Sequence, residues 1–403
     1  MRHSDKTARR YLRKNRRPTV LVLLGCFWPG HEANGPNQSL NAMVAALRDD
    51  YEFKVVGRDR AFAAPDTSST RPGWYRSVGF TARHLPVSHA GASGLRSLLR
   101  ETHYDILVLN GFFDREFTLP ALTLRRFHQT QNRPVIVAPR GEFSPGALSL
   151  KANRKRAFLK AARASSLCRG VTIHATSDSE ASDIRREAPW LQNICVAPNI
   201  RQSNPVGLLE QQGSLTFRIA FLSRIDRKKN LDFALRVLRS TNIEIQFDIF
   251  GPITDAVYWT ECQTLIERLP PNVKAQALGA VPQAQLSQTL RNYDLFFLPT
   301  AGENFAHAIY DALEAGVPVL ISDQTPFRNL NDQKAGFDLP LHSPELFAEA
   351  IKALANQSQT DRSTWRHSAR ALFERTLQSD DAVQKTKAMF EAALAEPIEG
   401  RAA

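Results

Sequence analysis

The chain has 403 residues, 43% of them hydrophobic and 23% charged, and a formal net charge of +12. This length suits two domains, and the composition excludes a disordered or fibrous protein. The longest apolar run, 20–28, is far shorter than the roughly 20 residues that a membrane-spanning helix needs.

The beginning of the chain is basic but has no apolar stretch directly behind it, so we predict no secretory signal. The four cysteines form no CxxC pair, which favours reduced thiols over disulfides or zinc ligands. Both observations predict a cytoplasmic protein.

The positive charge is concentrated in residues 1–17, which hold eight Lys or Arg residues and one Asp, a net of +7 that leaves only +5 for the rest. We treat this tail as a separate segment. It can bind an anionic membrane surface, at the inner face of the membrane, or it can be a solvated arm. Because the folded part carries little excess charge, the sequence argues against a nucleic-acid partner.

Residues 18–200 alternate apolar runs with segments of helical spacing. The runs predict buried strands at 18–26, 52–56, 104–109, 134–138 and 171–175, and helices between them at 38–47, 115–129 and 153–167. Residues 58–94 are rich in Gly, Pro, Ser and Arg and predict a long loop. Alternation of strand and helix is typical of a doubly wound α/β domain.

The same pattern starts again after residues 201–214, which have the composition of a linker. Strands are predicted at 217–222, 243–250, 273–278, 295–299 and 317–322, and helices at 231–238, 258–268, 283–291, 306–315 and 344–355. We assign 201–375 to this second domain and 376–403 to a C-terminal helix that can return to the first domain. Ligands of such sheets bind at the carboxyl ends of the strands, so a cleft between the domains is expected.

Two segments follow predicted strands and precede helices in the second domain. The first, 223–230, carries Arg224 and Lys229, and basic groups beside a helix N-terminus suit a phosphate. The second, 299–319, carries Glu303 and, eight residues later, Asp311. A carboxylate accepts hydrogen bonds from sugar hydroxyls, and free amides at a helix opening suit a diphosphate. The alternatives are a solvated loop for the first segment, and a helix cap with a surface Asp for the second.

Together these segments resemble the retaining glycosyltransferases of family 4. The signature of that family is an Arg followed five residues later by a Lys, and a Glu-x7-Glu motif ahead of Ala-x-x-x-Gly-x-Pro-Val. The matching residues are Arg224, Lys229, Glu303, Ala312, Gly316, Pro318 and Val319. The resemblance is specific over 217–330 and looser over 18–200. It implies the GT-B fold, with two doubly wound Rossmann-like domains facing across a cleft, an acceptor-binding domain at 18–200 and a nucleotide-sugar-binding domain at 201–375.

The resemblance also implies roles. Arg224 and Lys229 would hold the donor diphosphate and Glu303 the transferred sugar, and these three form the implied catalytic set. The implied donor-binding residues are Gly35, Arg224, Lys229, Glu303, Asn304, Phe305, Ala306, His307 and Asp311. Two departures stand out: the second motif Glu is Asp311, one methylene shorter, and the Gly-Gly pair of the first loop is Asn34-Gly35. Ribose binding at Asp311 is therefore expected to be looser or water-bridged.

Candidate acceptor-binding residues lie in the first domain, at His31, Glu32, Arg140 and Glu142. The basic run 151–156 can meet an anionic acceptor such as a phospholipid-linked sugar. Each has a plainer explanation: His31 is a loop residue, Arg140 and Glu142 pair with each other, or the basic run is a solvated helix face.

The expected reaction is transfer of a sugar, with retention, from a nucleotide-diphosphate-sugar donor to a glycan or lipid-linked acceptor, as in the synthesis of cell-surface polysaccharides. Positive charge and helix amides would stabilise the leaving diphosphate beside an oxocarbenium-like sugar. No Asp-x-Asp pair follows a strand to hold Mg²⁺, so we expect no metal and no cofactor beyond the donor. A non-catalytic nucleotide-sugar-binding protein and a nucleotide-sugar epimerase remain alternatives.

Overall fold

The computed structural model describes residues 16–25, 35–58, 73–85, 92–149, 151–201, 203, 207–208, 216–379 and 381–395. The candidate acceptor residues His31 and Glu32, and all but the last two residues of the basic tail, lie outside these ranges.

The N-terminal half is built on one twisted sheet. Its strands are β1 (Thr19–Leu24), β2 (Glu52–Arg58), β3 (Tyr75–Arg76), β4 (Thr81–Leu85), β5 (Ile106–Asn110), β6 (Val135–Ala138), β7 (Val171–Ala175) and β8 (Ile194–Val196). Its helices are α1 (Gly35–Leu47), α2 (Ala92–Glu101), α3 (Thr118–Arg126), α4 (Pro145–Ser149), α5 (Ala152–Ala164) and α6 (Asp178–Glu187). The strand order is β3-β4-β2-β1-β5-β6-β7-β8, and β3 is antiparallel to β4 while the other pairs are parallel.

The C-terminal half is built on a second, wholly parallel sheet. Its strands are β9 (Phe217–Leu222), β10 (Ile245–Phe250), β11 (Val273–Gly279), β12 (Leu295–Leu298), β13 (Val319–Ser322) and β14 (Gly336–Leu339). Its helices are α7 (Leu231–Arg239), α8 (Ala256–Ile266), α9 (Leu286–Leu290), α10 (His307–Glu314), α11 (Pro344–Ala355) and α12 (Gln359–Ser379). The strand order is β11-β10-β9-β12-β13-β14.

Burial explains why the strands could be recognised. Every residue of β1, β5, β6, β7, β12 and β13 is buried, since helices cover both faces of the sheets. Such strands appear in the sequence as continuous apolar runs. The two doubly wound α/β domains predicted from the sequence are confirmed.

The prediction of one long loop at 58–94 is wrong. The described part of this region contains β3 and β4, and α2 begins at Ala92. β4 pairs with β2 from Lys54–Thr81 to Arg58–Leu85. Its sequence, Thr-Ala-Arg-His-Leu, has only two apolar residues, so pairing with an existing strand stabilises a segment that its composition does not mark.

Helix α12 was also missing from the predicted helices, and it crosses the domain boundary placed at 375. One reason why the helix was not predicted is that hydrogen bonds of a buried arginine hold part of it in place. The Arg366 guanidinium, 5% exposed, donates to the Tyr293 and Arg291 carbonyls over 2.8 and 2.7 Å. A helix held partly by such bonds shows a weak apolar stripe in its sequence.

A last helix, α13 (Ala382–Ala395), packs on the N-terminal domain. Met389 and Phe390 belong to the same buried cluster as residues of β1 and α1. The Phe390 ring meets Tyr51 edge to face with centroids 5.2 Å apart, and Lys387 Nζ lies 2.6 Å from Asp50 Oδ2. The chain therefore crosses back after completing the second domain.

Within the described residues, we find no helix that combines the length and the apolar character needed to cross a bilayer.

Candidate active site

Two loops of the C-terminal domain meet at the carboxyl ends of neighbouring strands. β9 and β12 are parallel and adjacent, so the loop after β9 (223–230) and the loop after β12 (299–306) emerge at the same edge. The two loops are bonded together, because the Lys228 carbonyl accepts from the Ala301 amide over 2.7 Å. The motif residues, about 75 positions apart in the sequence, thus form one cluster.

Lys229 and Glu303 form an ion pair at the centre of this cluster. Their side chains are only 12% and 13% exposed, and Thr300 Oγ1 also donates to Glu303 Oε1 over 3.1 Å. Burial acts to raise the pKa of Glu303, but Lys229, Lys228 and the Thr300 hydroxyl outweigh it and hold the pKa below its ordinary value. Glu303 is therefore an anion at neutral pH, next to fixed positive charge.

Arg224 lies on the open side of the same loop. Its side chain is 41% exposed, and a terminal nitrogen stands 3.5 Å from Asp226 Oδ2. Arg224 and Lys229 thus come from one loop but differ in accessibility. An entering anion can reach the guanidinium directly, whereas the ammonium is already bound to Glu303.

The segment between Glu303 and α10 has an unusual backbone conformation at its last residue. Ala306 has φ +67°, in the left-handed region, and α10 begins at the next residue. The Phe305 ring stacks on Tyr310 with centroids 4.8 Å apart. The first amides of a helix have no partner inside the helix, so this opening carries donors for an anion.

The side chains of Asn304 and His307 contact the N-terminal domain. Asn304 Nδ2 donates to Thr176 Oγ1 over 2.7 Å and to Glu180 Oε2 over 3.0 Å. His307 Nε2 lies 2.9 Å from Ser39 Oγ. Burial, followed by the charges of Arg201 and Arg140, lowers the pKa of His307 to about 3, so the ring is neutral.

Gly35 also faces this segment. A β-carbon built on Gly35 would lie 3.2 Å from His307 Cδ2, a tight approach. The glycine at the start of α1 therefore leaves room for the imidazole of the opposite domain, in addition to any role toward a phosphate.

Asp311 is 2% exposed and forms a buried ion pair. Arg201 donates to Asp311 Oδ1 over 2.5 Å and to Glu314 Oε2 over 3.3 Å. Burial raises the pKa of Asp311, with Arg201 acting against it and Glu314 adding to it. A direct hydrogen bond from a ribose would have to compete with this pair.

Arg140 and Glu142 do not pair with each other. The Arg140 guanidinium donates to Asn110 Oδ1 over 3.1 Å and to Asn199 Oδ1 over 2.5 Å. Glu142 Oε2 accepts from the amides of Phe112 and Phe113 over 2.5 and 3.1 Å.

Burial shifts both of these groups. It lowers the pKa of Arg140 to about 10 and raises that of Glu142 to about 6, the latter against the pull of the backbone amides. Through the hydrogen bonds to Asn110, Asn199 and the two Phe amides, both side chains hold the loop after β6 in place.

Comparison with known families fits this geometry. Residues 214–371 match the family described as Glycosyl transferases group 1, and residues 34–199 match the Glycosyl transferase 4-like domain. The chain belongs to the group 1 glycosyltransferases.

Relatives of this glycosyltransferase are distant in sequence. Phosphatidyl-myo-inositol mannosyltransferase of Mycobacterium tuberculosis is 36% identical over 76 residues, a match that spans 18% of this chain and 20% of the relative.

The fold is shared over nearly the whole chain. HepE from Anabaena, solved with UDP and glucose, is 16% identical with a TM-score of 0.66, covering 93% of this chain and 99% of its own. Sucrose-phosphate synthase from Thermosynechococcus elongatus is 15% identical with a TM-score of 0.70, covering 94% and 100%. These structures confirm the expected GT-B architecture of the glycosyltransferase.

Sequence reasoning missed several residues of the site. Thr300 and Lys228 lay inside the motif segments without an assigned role, and Arg201 lay in the presumed linker. Glu180 was signalled only by Ser177-x-x-Glu180, a helix-capping pattern, and Ser177 Oγ does accept from the Glu180 amide over 3.1 Å. The pattern marks the start of α6 but gives no sign of the contact with Asn304.

Proposed function

We propose that this glycosyltransferase moves a sugar from a nucleoside-diphosphate-sugar donor to a glycan or lipid-linked acceptor with retention of configuration. The observation that carries the proposal is the buried pair of Lys229 and Glu303, with Arg224 accessible beside it. A site with an ionised carboxylate and two cations suits a ligand that has both hydroxyls and a diphosphate.

The proposed chemistry is electrostatic. As the glycosidic bond breaks, negative charge develops on the leaving diphosphate, where Arg224, Lys229 and the first amides of α10 would stabilise it. When the diphosphate engages Lys229, Glu303 can turn to the sugar hydroxyls and face the oxocarbenium-like centre. We propose that no metal is needed, since these cations supply the charge.

The donor is proposed to be a UDP-sugar or a close analogue. The structure of HepE contains UDP and glucose, which supports a nucleotide-sugar site on this fold. The similarity to HepE extends to the fold alone, so the binding experiment has to test the proposed base and identify the sugar.

The acceptor is proposed to be anionic or to lie at an anionic membrane surface. Helix α5 supports this, because Arg154, Arg156, Lys160 and Arg163 are exposed and the helix has no acidic residue. The mycobacterial relative is named for a phosphatidylinositol acceptor, which is in line with the proposal.

The test begins with a thermal-shift screen of nucleoside diphosphates and their sugars, in excess EDTA and in Mg²⁺, because a ligand that binds the native state raises the Tm. Arg224→Ala is expected to weaken binding of the selected diphosphate about 10-fold or more without lowering the Tm of the free protein, since the side chain is accessible. Arg239→Ala, on the exposed face of α7, is the matched control.

Turnover then separates enzyme from binder. We expect donor hydrolysis or transfer, with the anomeric configuration of the product, read by NMR, equal to that of the donor. An inverted product would refute retention, and loss of turnover in EDTA would refute metal independence. Tight donor binding without transfer, hydrolysis or isomerisation would instead establish a binding protein.

A further inference from the structure

Glu180, at the start of α6, is a carboxylate buried at the boundary of the two domains. It is 3% exposed. Oε1 accepts from the Gly141 amide over 2.5 Å, and Oε2 accepts from the amide and hydroxyl of Thr176, both over 2.7 Å. The side chain of Asn304 supplies a further donor over 3.0 Å. Three donors come from the N-terminal domain and the fourth from the opposite one.

The hydrogen bonds around Glu180 are mutually consistent. The Thr176 hydroxyl gives its proton to Glu180 and accepts from Asn304 Nδ2 over 2.7 Å. The amide of Asn304 therefore binds the carboxylate both directly and through the hydroxyl. Hydrogen bonds to a buried charged group are stronger than neutral ones, so their loss is costly.

The N-terminal domain is shaped to receive Asn304. Gly141 has φ +80°, and a β-carbon built there would lie 2.9 Å from Asn304 Cβ. A side chain at position 141 would therefore push against Asn304. Glu180 fixes the amide of this same glycine, so one carboxylate holds both the glycine and the asparagine that packs on it.

The other end of the same segment is held as well. His307 contacts Ser39 and packs against Gly35 on α1. Glu303 directly precedes Asn304, the first of these two anchors, in the chain. Within its own domain, the Glu303 amide donates to the Gln324 carbonyl over 2.9 Å and its carboxylate binds Lys229 and Thr300, while the residues that follow Glu303 are held by the N-terminal domain.

We propose that Glu180 is a positioning residue that acts through Asn304: it holds the 303–307 segment against the N-terminal domain and so helps to fix where the Glu303 carboxylate lies. This inference rests on the proposed role of Glu303 at the sugar. Glu180 acts in this proposal through Asn304, and it is not assigned a catalytic role.

The decisive variant is Asn304→Asp. It keeps the size of the side chain but replaces the donor amide with a second carboxylate beside Glu180. Two ionised carboxylates at hydrogen-bond distance repel each other, so at pH 7.5, with both charged, the contact is expected to open. At about pH 5.5 they can share a proton and the contact re-forms. A merely disruptive substitution would not be reversed by acid.

The groups facing this pair permit the experiment. On the N-terminal side, Arg140 and His174 interact with Glu180, and Glu142 follows Gly141 in the chain; on the other side, Glu303 and His307 belong to the segment of Asn304. Burial lowers the pKa of His174 to about 4 and that of His307 to about 3, so both rings stay neutral above pH 5. Arg140, with a pKa of about 10, stays charged. Burial raises the pKa of Glu142 to about 6. Glu142 titrates in the wild type as well, so comparison with the wild type accounts for its effect.

Two readouts are compared in wild type, Asn304→Asp and the surface control Asn242→Asp. Small-angle scattering of the free protein should give a larger radius of gyration for Asn304→Asp at pH 7.5 that returns to the wild-type value at pH 5.5. With the donor found in the binding screen, kcat should fall about 10- to 100-fold at pH 7.5, more than KM changes, and recover relative to wild type at pH 5.5. Thr176→Val, which removes only the bridging hydroxyl, should give a smaller loss.

The outcomes separate this inference from the proposed function. Scattering needs no substrate, so it tests the contact even if the donor assignment fails. An Asn304→Asp protein with wild-type dimensions at both pH values would overturn the contact. An opened protein with wild-type kcat at pH 7.5 would overturn the positioning role, as would a loss of kcat that acid leaves unchanged.

Discussion

Glu303 is the residue on which transition-state stabilisation is expected to depend most. Glu303→Gln keeps its shape but removes the charge that pairs with Lys229, so we predict a fall in kcat of about 10²-fold or more, equivalent to roughly 2.7 kcal/mol. Steady-state kinetics, with donor affinity by calorimetry, measures this, and Glu267→Gln, an exposed site, is the control. A change in affinity with unchanged kcat would make Glu303 a binding group only.

The pH dependence of this carboxylate follows from its lowered pKa. A carboxyl group whose pKa is lower in the folded state contributes stability above its unfolded pKa and loses it as the pH falls through the folded pKa. The contribution of Glu303 is therefore complete at neutral pH and fades only in acid. Lys229, the partner of Glu303, is equally buried. Replacing Lys229 with Ala would remove this ion pair from a buried carboxylate, so a loss of activity could not be separated from a loss of stability.

Helix α10 depends on Arg201, which joins the segment between the domains to Asp311 and Glu314. Arg201→Met would leave two buried carboxylates without their cation, and we predict a loss of about 3–5 kcal/mol in the free energy of unfolding. Arg236→Met is the matched control, because Arg236 is 60% exposed and its pair with Asp232 should be worth about 0.5 kcal/mol or less. Equal denaturation midpoints for the two variants would contradict this account of α10.

The whole molecule is joined by α13, which carries the end of the described chain back onto the N-terminal core. Phe390 is 1% exposed and packs on Tyr51. Phe390→Ala should therefore cost about 3–5 kcal/mol in the free energy of unfolding, measured by denaturant titration. Leu394→Ala, on the same helix but 38% exposed, should cost less than about 1 kcal/mol. Similar costs for both would show that α13 is not an integral part of that core.

The sequence by itself determined the two α/β domains and the family. Buried parallel strands appear as continuous apolar runs, and residues at the ends of neighbouring strands converge whatever the details of packing. That is why Arg224, Lys229 and Glu303 could be placed at one edge of a sheet before the fold was known.

Only the tertiary structure decided the partners of the remaining site residues. Asp311 meets Arg201, 110 positions away, and Asn304 meets Glu180, 124 positions away. The pairing of β4 with β2 is likewise a contact that the composition of β4 does not predict. These contacts arise from the docking of one domain or strand against another, and a local pattern carries no information about which distant residue it will face.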